Sequence, residues 1–156
     1  MALTLAQVDE IAAHLRAVPA LVDRLEERSV DTYEAALRWF HAAEAMLQRT
    51  RQPVVAQLAS LRSLLVQAGR GQPVPEVELT GRPTRRKLRD GAVQYAIARA
   101  SEALMGAIQP RLDQLEEADR LARQISAVLT VKGHVAACTA AAPDHATRVA
   151  CLERRA

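Results

Sequence analysis

Gln52-Pro53-Val54-Val55-Ala56-Gln57-Leu58 and Gln109-Pro110-Arg111-Leu112-Asp113-Gln114-Leu115 share the phrase Q-P-x-x-x-Q-L. Each interrupts a long run of helix-forming residues, 31–68 in the first case and 84–131 in the second. A proline inside a helix removes one backbone hydrogen bond and clashes with the preceding turn, so each run is expected to bend or break at its midpoint. Setting the two Gln-Pro pairs in register, at an offset of 57, matches eight of the 25 positions over 43–67. Such self-similarity predicts the same kinked arm used twice. The expected fold is therefore all-α: a helical bundle built on two long, proline-kinked, antiparallel arms, with short terminal helices completing the core.

Composition agrees with helix. The chain has 156 residues, 49% hydrophobic but only 3% aromatic, and Ala and Leu supply most of the apolar content. Those two residues are the strongest apolar helix formers. This length suits a single domain over 1–156. Thr4 followed by Gln7 has the form of a capping box, and Asp31 followed by Glu34 repeats it. Leu58, Leu61, Leu65 and Ala68 advance by threes and fours up to Gly69, which stands where a helix C-cap favours glycine. The segment 69–83 holds three prolines and three glycines, and is expected to be a mobile connector between the arms. Beyond Pro110, a stripe of Leu112, Leu115, Ala118, Ala122, Ile125 and Leu129 leads to Gly133, after which 132–156 would form a short helical appendage around Pro143.

Charge excludes little. Twenty-one basic and 18 acidic side chains give a net charge of +3, which is not the field of a polyelectrolyte. No run approaches the length of apolar residues needed to span a bilayer, and the first ten residues lack the pattern of a secretory signal, so the expected location is cytoplasmic, without a membrane partner.

Five of the eight residues 82–89 are basic: Arg82, Arg85, Arg86, Lys87 and Arg89. Such a cluster can bind a polyanion by displacing condensed counterions, which makes nucleic acid the alternative partner. Two features oppose it: the cluster stands at a helix N-terminus, against the macrodipole, and no aromatic residue is interleaved for base stacking. A solvated charged face, or ion pairs with Glu76 and Glu78, is the plainer expectation. His134, Cys138, His145 and Cys151 are all zinc-ligand types, but their spacing is wider than structural zinc motifs use. Two buried, inert thiols are expected there, ahead of a Cys138–Cys151 disulfide or a metal.

No nucleophile elbow, zinc-protease helix or phosphate-binding loop occurs, and the adjacent pairs Glu26/Glu27 and Glu116/Glu117 are not facing carboxylates. His14 and His41 are isolated on separate helices. No cofactor, metal or enzymatic activity is expected. The expected function is non-enzymatic: self-association, or docking of a helical protein partner through apolar helix faces. By helical phase, Trp39, Leu64, Val66 and Met105 fall outside a simple seam and are the expected partner-binding residues.

Overall fold

The structure, a computed structural model, describes residues 3–79, 81–141, 150, 151 and 154, without the side chains of Thr139 and Ala141. Among these residues it is all-helical, with no strand: α1 (Leu5–Leu15), α2 (Val18–Glu26), α3 (Thr32–Arg49), α4 (Val55–Gly69) and α5 (Arg85–Ala141). Contacts divide the chain into two compact units, Met1–Arg111 and Leu112–Ala156. The expected helical pair around Pro143 lies outside the described residues.

The expectation of two matching kinked arms is not met. The first run is two helices, because the chain stops α3 before it reaches Pro53. Arg51 adopts φ +52°, the Gln52 amide donates to the Leu47 carbonyl (2.9 Å) and the Arg51 amide donates to the Gln48 carbonyl (3.1 Å). That pair of bonds is a Schellman motif, which satisfies carbonyls that a helix end leaves open. Thr50 adds a hydroxyl bond to the Met46 carbonyl (3.1 Å). The chain then reverses, and α4 returns antiparallel along α3. Tyr33, at the start of α3, donates its hydroxyl to the Leu65 carbonyl near the end of α4 (2.9 Å), while Arg62 meets Glu44 farther along (2.6 Å). The second run is one helix that passes through Pro110 and through Gly133. A shared Gln-Pro phrase thus has two outcomes, and what separates them is the capping chemistry before Pro53 and the apolar face after it. Leu58, Leu61, Leu65 and Ala68 bury themselves beside Ala36, Phe40, Ala43 and Leu47.

The same terminator recurs. α2 ends with the Ser29 amide on the Arg24 carbonyl (2.9 Å) and the Arg28 amide on the Leu25 carbonyl (3.1 Å), with Arg28 at φ +54°. α4 ends the same way, with Gly71 at φ +79°. Gly69, expected as the cap, is instead the last helical residue, and Gly71 takes the left-handed position. Only Gly71 has the residue type that this conformation favours. Arg28→Gly and Arg51→Gly are each expected to raise the unfolding free energy by about 0.5–1 kcal/mol, read by urea denaturation, since both side chains are exposed and the backbone bonds survive.

At the other ends, the Thr4 capping box forms as expected, with the Gln7 amide donating to Thr4 Oγ1 (3.3 Å) and the Thr4 amide to Gln7 Oε1 (2.9 Å). The Asp31 box does not. Asp31 accepts from Ser29 Oγ (2.6 Å) and Arg24 Nη1 (2.5 Å), and these local bonds hold the α2–α3 turn in place of capping α3.

Within the first unit, α5 contributes Leu88, Ala92, Ala96, Ala100, Leu104 and Ile108 to the core, with Val93 and Ile97 beside them. Steps of four advance about 40° around a helix each time, so the buried stripe winds and meets different elements along its length. The connector covers one stretch: Val74 is buried, and Val77 and Leu79 lie over Gly91, where an added Cβ would come within 2.6 Å of Val77 Cγ1. Part of the connector expected to be mobile thus packs on α5, through Val77 and Leu79 at Gly91.

Candidate interaction surface and basic cluster

The basic cluster comes first because α5 begins in it. Thr84 caps the helix, accepting the Lys87 amide on Oγ1 (3.2 Å). Arg85 donates from Nε and Nη2 to the Gly69 carbonyl (3.0 and 2.6 Å), and Arg89 Nη2 donates to the same oxygen (3.0 Å). That carbonyl belongs to the C-terminus of α4, the negative end of its dipole. Basic charge that opposes the dipole of α5 therefore complements the dipole of α4. Arg89 also lies over the Tyr33 ring, 4.9 Å from its centroid, and burial raises the Tyr33 phenol's pKa while the nearby Arg89 charge opposes the rise. Arg86 donates to the Arg28 carbonyl (2.6 Å), the left-handed residue that ends α2. Three of the five arginines and lysines thus cross-brace helix ends, in place of the expected pairs with Glu76 and Glu78. With Tyr33 and Asp90 they line a cavity of about 240 Å³. Arg82 and Lys87 are exposed.

Of the four expected partner-binding residues, Trp39 is turned inward. Its ring stacks on His14 of α1 (centroids 4.6 Å apart, 24° between planes) and meets Phe40 edge-on at 5.1 Å. Trp39 Nε1 donates to the His14 carbonyl (3.2 Å), and His14 Nε2 lies 3.1 Å from the Trp39 carbonyl. A carbonyl can only accept, so Nε2 carries a proton and donates to it. The side chain that lay off the α3 stripe is thus the clasp between α1 and α3. Leu64 and Val66 are half-buried on α4, and Met105 is 44% exposed on α5.

Burial lowers the His14 pKa below its ordinary value near 6.5, against the opposing pull of the Trp39 carbonyl bond. The unfolded chain therefore binds the proton more readily. The stability that the neutral ring contributes is fully present above about pH 6.5 and is lost as pH falls below it. The melting temperature of the wild type should drop on acidification from pH 7 toward pH 5, and His14→Gln should flatten that part of the slope.

The second unit contains the apolar stripe expected beyond Pro110. Leu121, Ile125, Val128, Leu129 and Val135 of α5 are 45–62% exposed. With Leu115, Ala118 and Ala122 they fall at positions a, d and g of a heptad frame counted from Leu115, which places them on one face. Arg120, Ala127 and His134 stand on the opposite face, and Val131, also exposed, lies off the stripe. The stripe beyond Pro110 was legible, but periodicity reports an apolar face and not what covers it.

Near the end of α5, Cys138 is buried and is joined to Cys151 by a disulfide, so the expected pair of free thiols is replaced by a covalent link. Both sulfurs of the proposed zinc set are thereby used, His145 lies outside the described residues, and no cluster of three or more metal-ligating side chains occurs among the described residues. No described helix is long and apolar enough to cross a membrane. The chain matches no protein-family model, no curated protein and no solved structure at a significant level.

Proposed function

We propose that the chain is a non-enzymatic assembly module in which the first unit is a rigid helical scaffold and the far half of α5 presents an apolar face to a helical partner. One observation carries this: five large apolar side chains, Leu121, Ile125, Val128, Leu129 and Val135, stand exposed along a single heptad face of one helix. Scattered exposed leucines need no explanation, but a contiguous apolar stripe on a soluble helix marks an interaction site. The double replacement Ile125→Glu with Leu129→Glu should keep the helix content seen by circular dichroism and abolish association seen by light scattering coupled to size exclusion. Unchanged association would remove the proposal.

Nucleic acid is the weaker reading. Arg85, Arg86 and Arg89 are engaged with backbone carbonyls at helix ends, which accounts for their convergence without a polyanion. The expected cytoplasmic location also loses support, because disulfides such as Cys138–Cys151 persist mainly in oxidising compartments.

A further inference from the structure

The far half of α5 is electrically lopsided. Residues 112–119 carry four acidic side chains and no basic one, whereas residues 120–135 carry three basic side chains and no acidic one. At the boundary Arg120 pairs with Glu117 (2.5 Å) and Arg123 with Asp119 (2.7 Å) inside the helix. Lys132 has no such neighbour: it sits at a d position of the apolar face, with no acidic residue within two turns on its own helix. An ammonium at the seam of a helix pair is costly unless the opposing helix supplies a carboxylate.

Resting on the proposal that this face docks a helix, we infer that its occupant is a second copy of the same chain, packed antiparallel through α5. Two arguments select that occupant and that direction. A parallel pair would set the acidic stretch on itself, whereas an antiparallel pair lays residues 112–119 against residues 128–135, where Lys132 is the one charged side chain. The antiparallel register that joins a to d positions also matches sizes, placing Ala122 against Ile125 of the second copy and Ala118 against Leu129 of the second copy. Small against large at facing positions lets two helices interdigitate without voids. In the same register Lys132 faces Leu115 of the second copy, one turn from Asp119, which flanks the apolar face at an e position. The pair is isologous and closes at two chains.

Sedimentation across a concentration series, with two sets of variants, tests this. The wild type should reach a dimer, and Lys132→Glu should weaken it by about tenfold, because the symmetric pair loses the contact twice. Adding Asp119→Lys to Lys132→Glu should restore most of that loss. Spin labels on Arg123→Cys and on Thr130→Cys should then differ in inter-chain separation by about 18 Å along the axis, since 123 lies near the two-fold and 130 does not. Equal separations at both sites, or no rescue by the charge swap, would overturn the antiparallel copy while leaving a docking face intact. A strict monomer would overturn the second copy as occupant. A dimer that survives Ile125→Glu with Leu129→Glu would overturn the face itself.

Discussion

Replacing Arg62 by Ala is expected to lower the unfolding free energy by about 2–3 kcal/mol, among the largest losses available to a single polar side chain here. Glu44 is only 8% exposed, on the face of α3 that α4 covers, and Arg62 Nε reaches its Oε1 at 2.6 Å. The guanidinium keeps partial contact with water, being 30% exposed, which is why the loss is put below that of a fully buried pair. Arg62→Ala leaves a nearly buried carboxylate without its donor, and that is the expensive state. Removing both charges is different: Glu44→Leu with Arg62→Met should recover most of the loss, because apolar groups of similar volume serve such a site as well as an ion pair does. Chemical denaturation of the two variants checks this, and equal losses in the single and double variants would show that packing, not the orphaned charge, is responsible.

Gly69→Ala is the second large effect, expected at about 2 kcal/mol. An added methyl would run into the Tyr33 hydroxyl and come within 2.7 Å of Cζ of the same ring. A long flexible side chain could step aside, but Tyr33 is fixed at both ends of its ring by the bond to the Leu65 carbonyl and by the Arg89 guanidinium lying over its face. Moving the ring also disturbs the arginines that converge on the Gly69 carbonyl. Tyr33→Phe should lose only the hydroxyl bond, at about 1 kcal/mol. The pair Tyr33→Phe with Gly69→Ala should therefore be less damaging than the sum of its parts, because the first change removes the atom with which the second collides.

What the sequence made legible follows from how local each signal is. Thr4 and Gln7 lie three residues apart and predicted their own capping box, because the chemistry is complete within one turn. The apolar stripes of α3, α4 and α5 were likewise visible, since helical period needs no partner to be read. The stop at Arg51 was hidden: a Schellman motif is recognisable when glycine fills the left-handed position, as Gly71 does, and arginine there carries no mark. Gly69 misled for the related reason that a glycine near a helix end has two uses, and here close approach of Tyr33 requires it. Trp39 and His14 are 25 residues apart, so their reciprocal bonds arise only when α1 and α3 meet. The basic cluster was read against its own helix, whereas its carbonyl partners lie at the ends of α2 and α4. In the far half of α5 the stripe was legible, but its exposure was not, because period alone does not say what packs on a face.

The measurement closest to the central claim is a photo-crosslinking scan along α5. A crosslinking side chain placed in turn at 118, 121, 122, 125, 128 and 129, and at 120, 123 and 127, samples the apolar face and the opposite side of the same turns. Capture should rise and fall with the heptad, strong at the first six positions and weak at the last three, with Ile125 among the strongest. Capture that is uniform around the helix, or strongest at 120, 123 and 127, would contradict a docking face on α5.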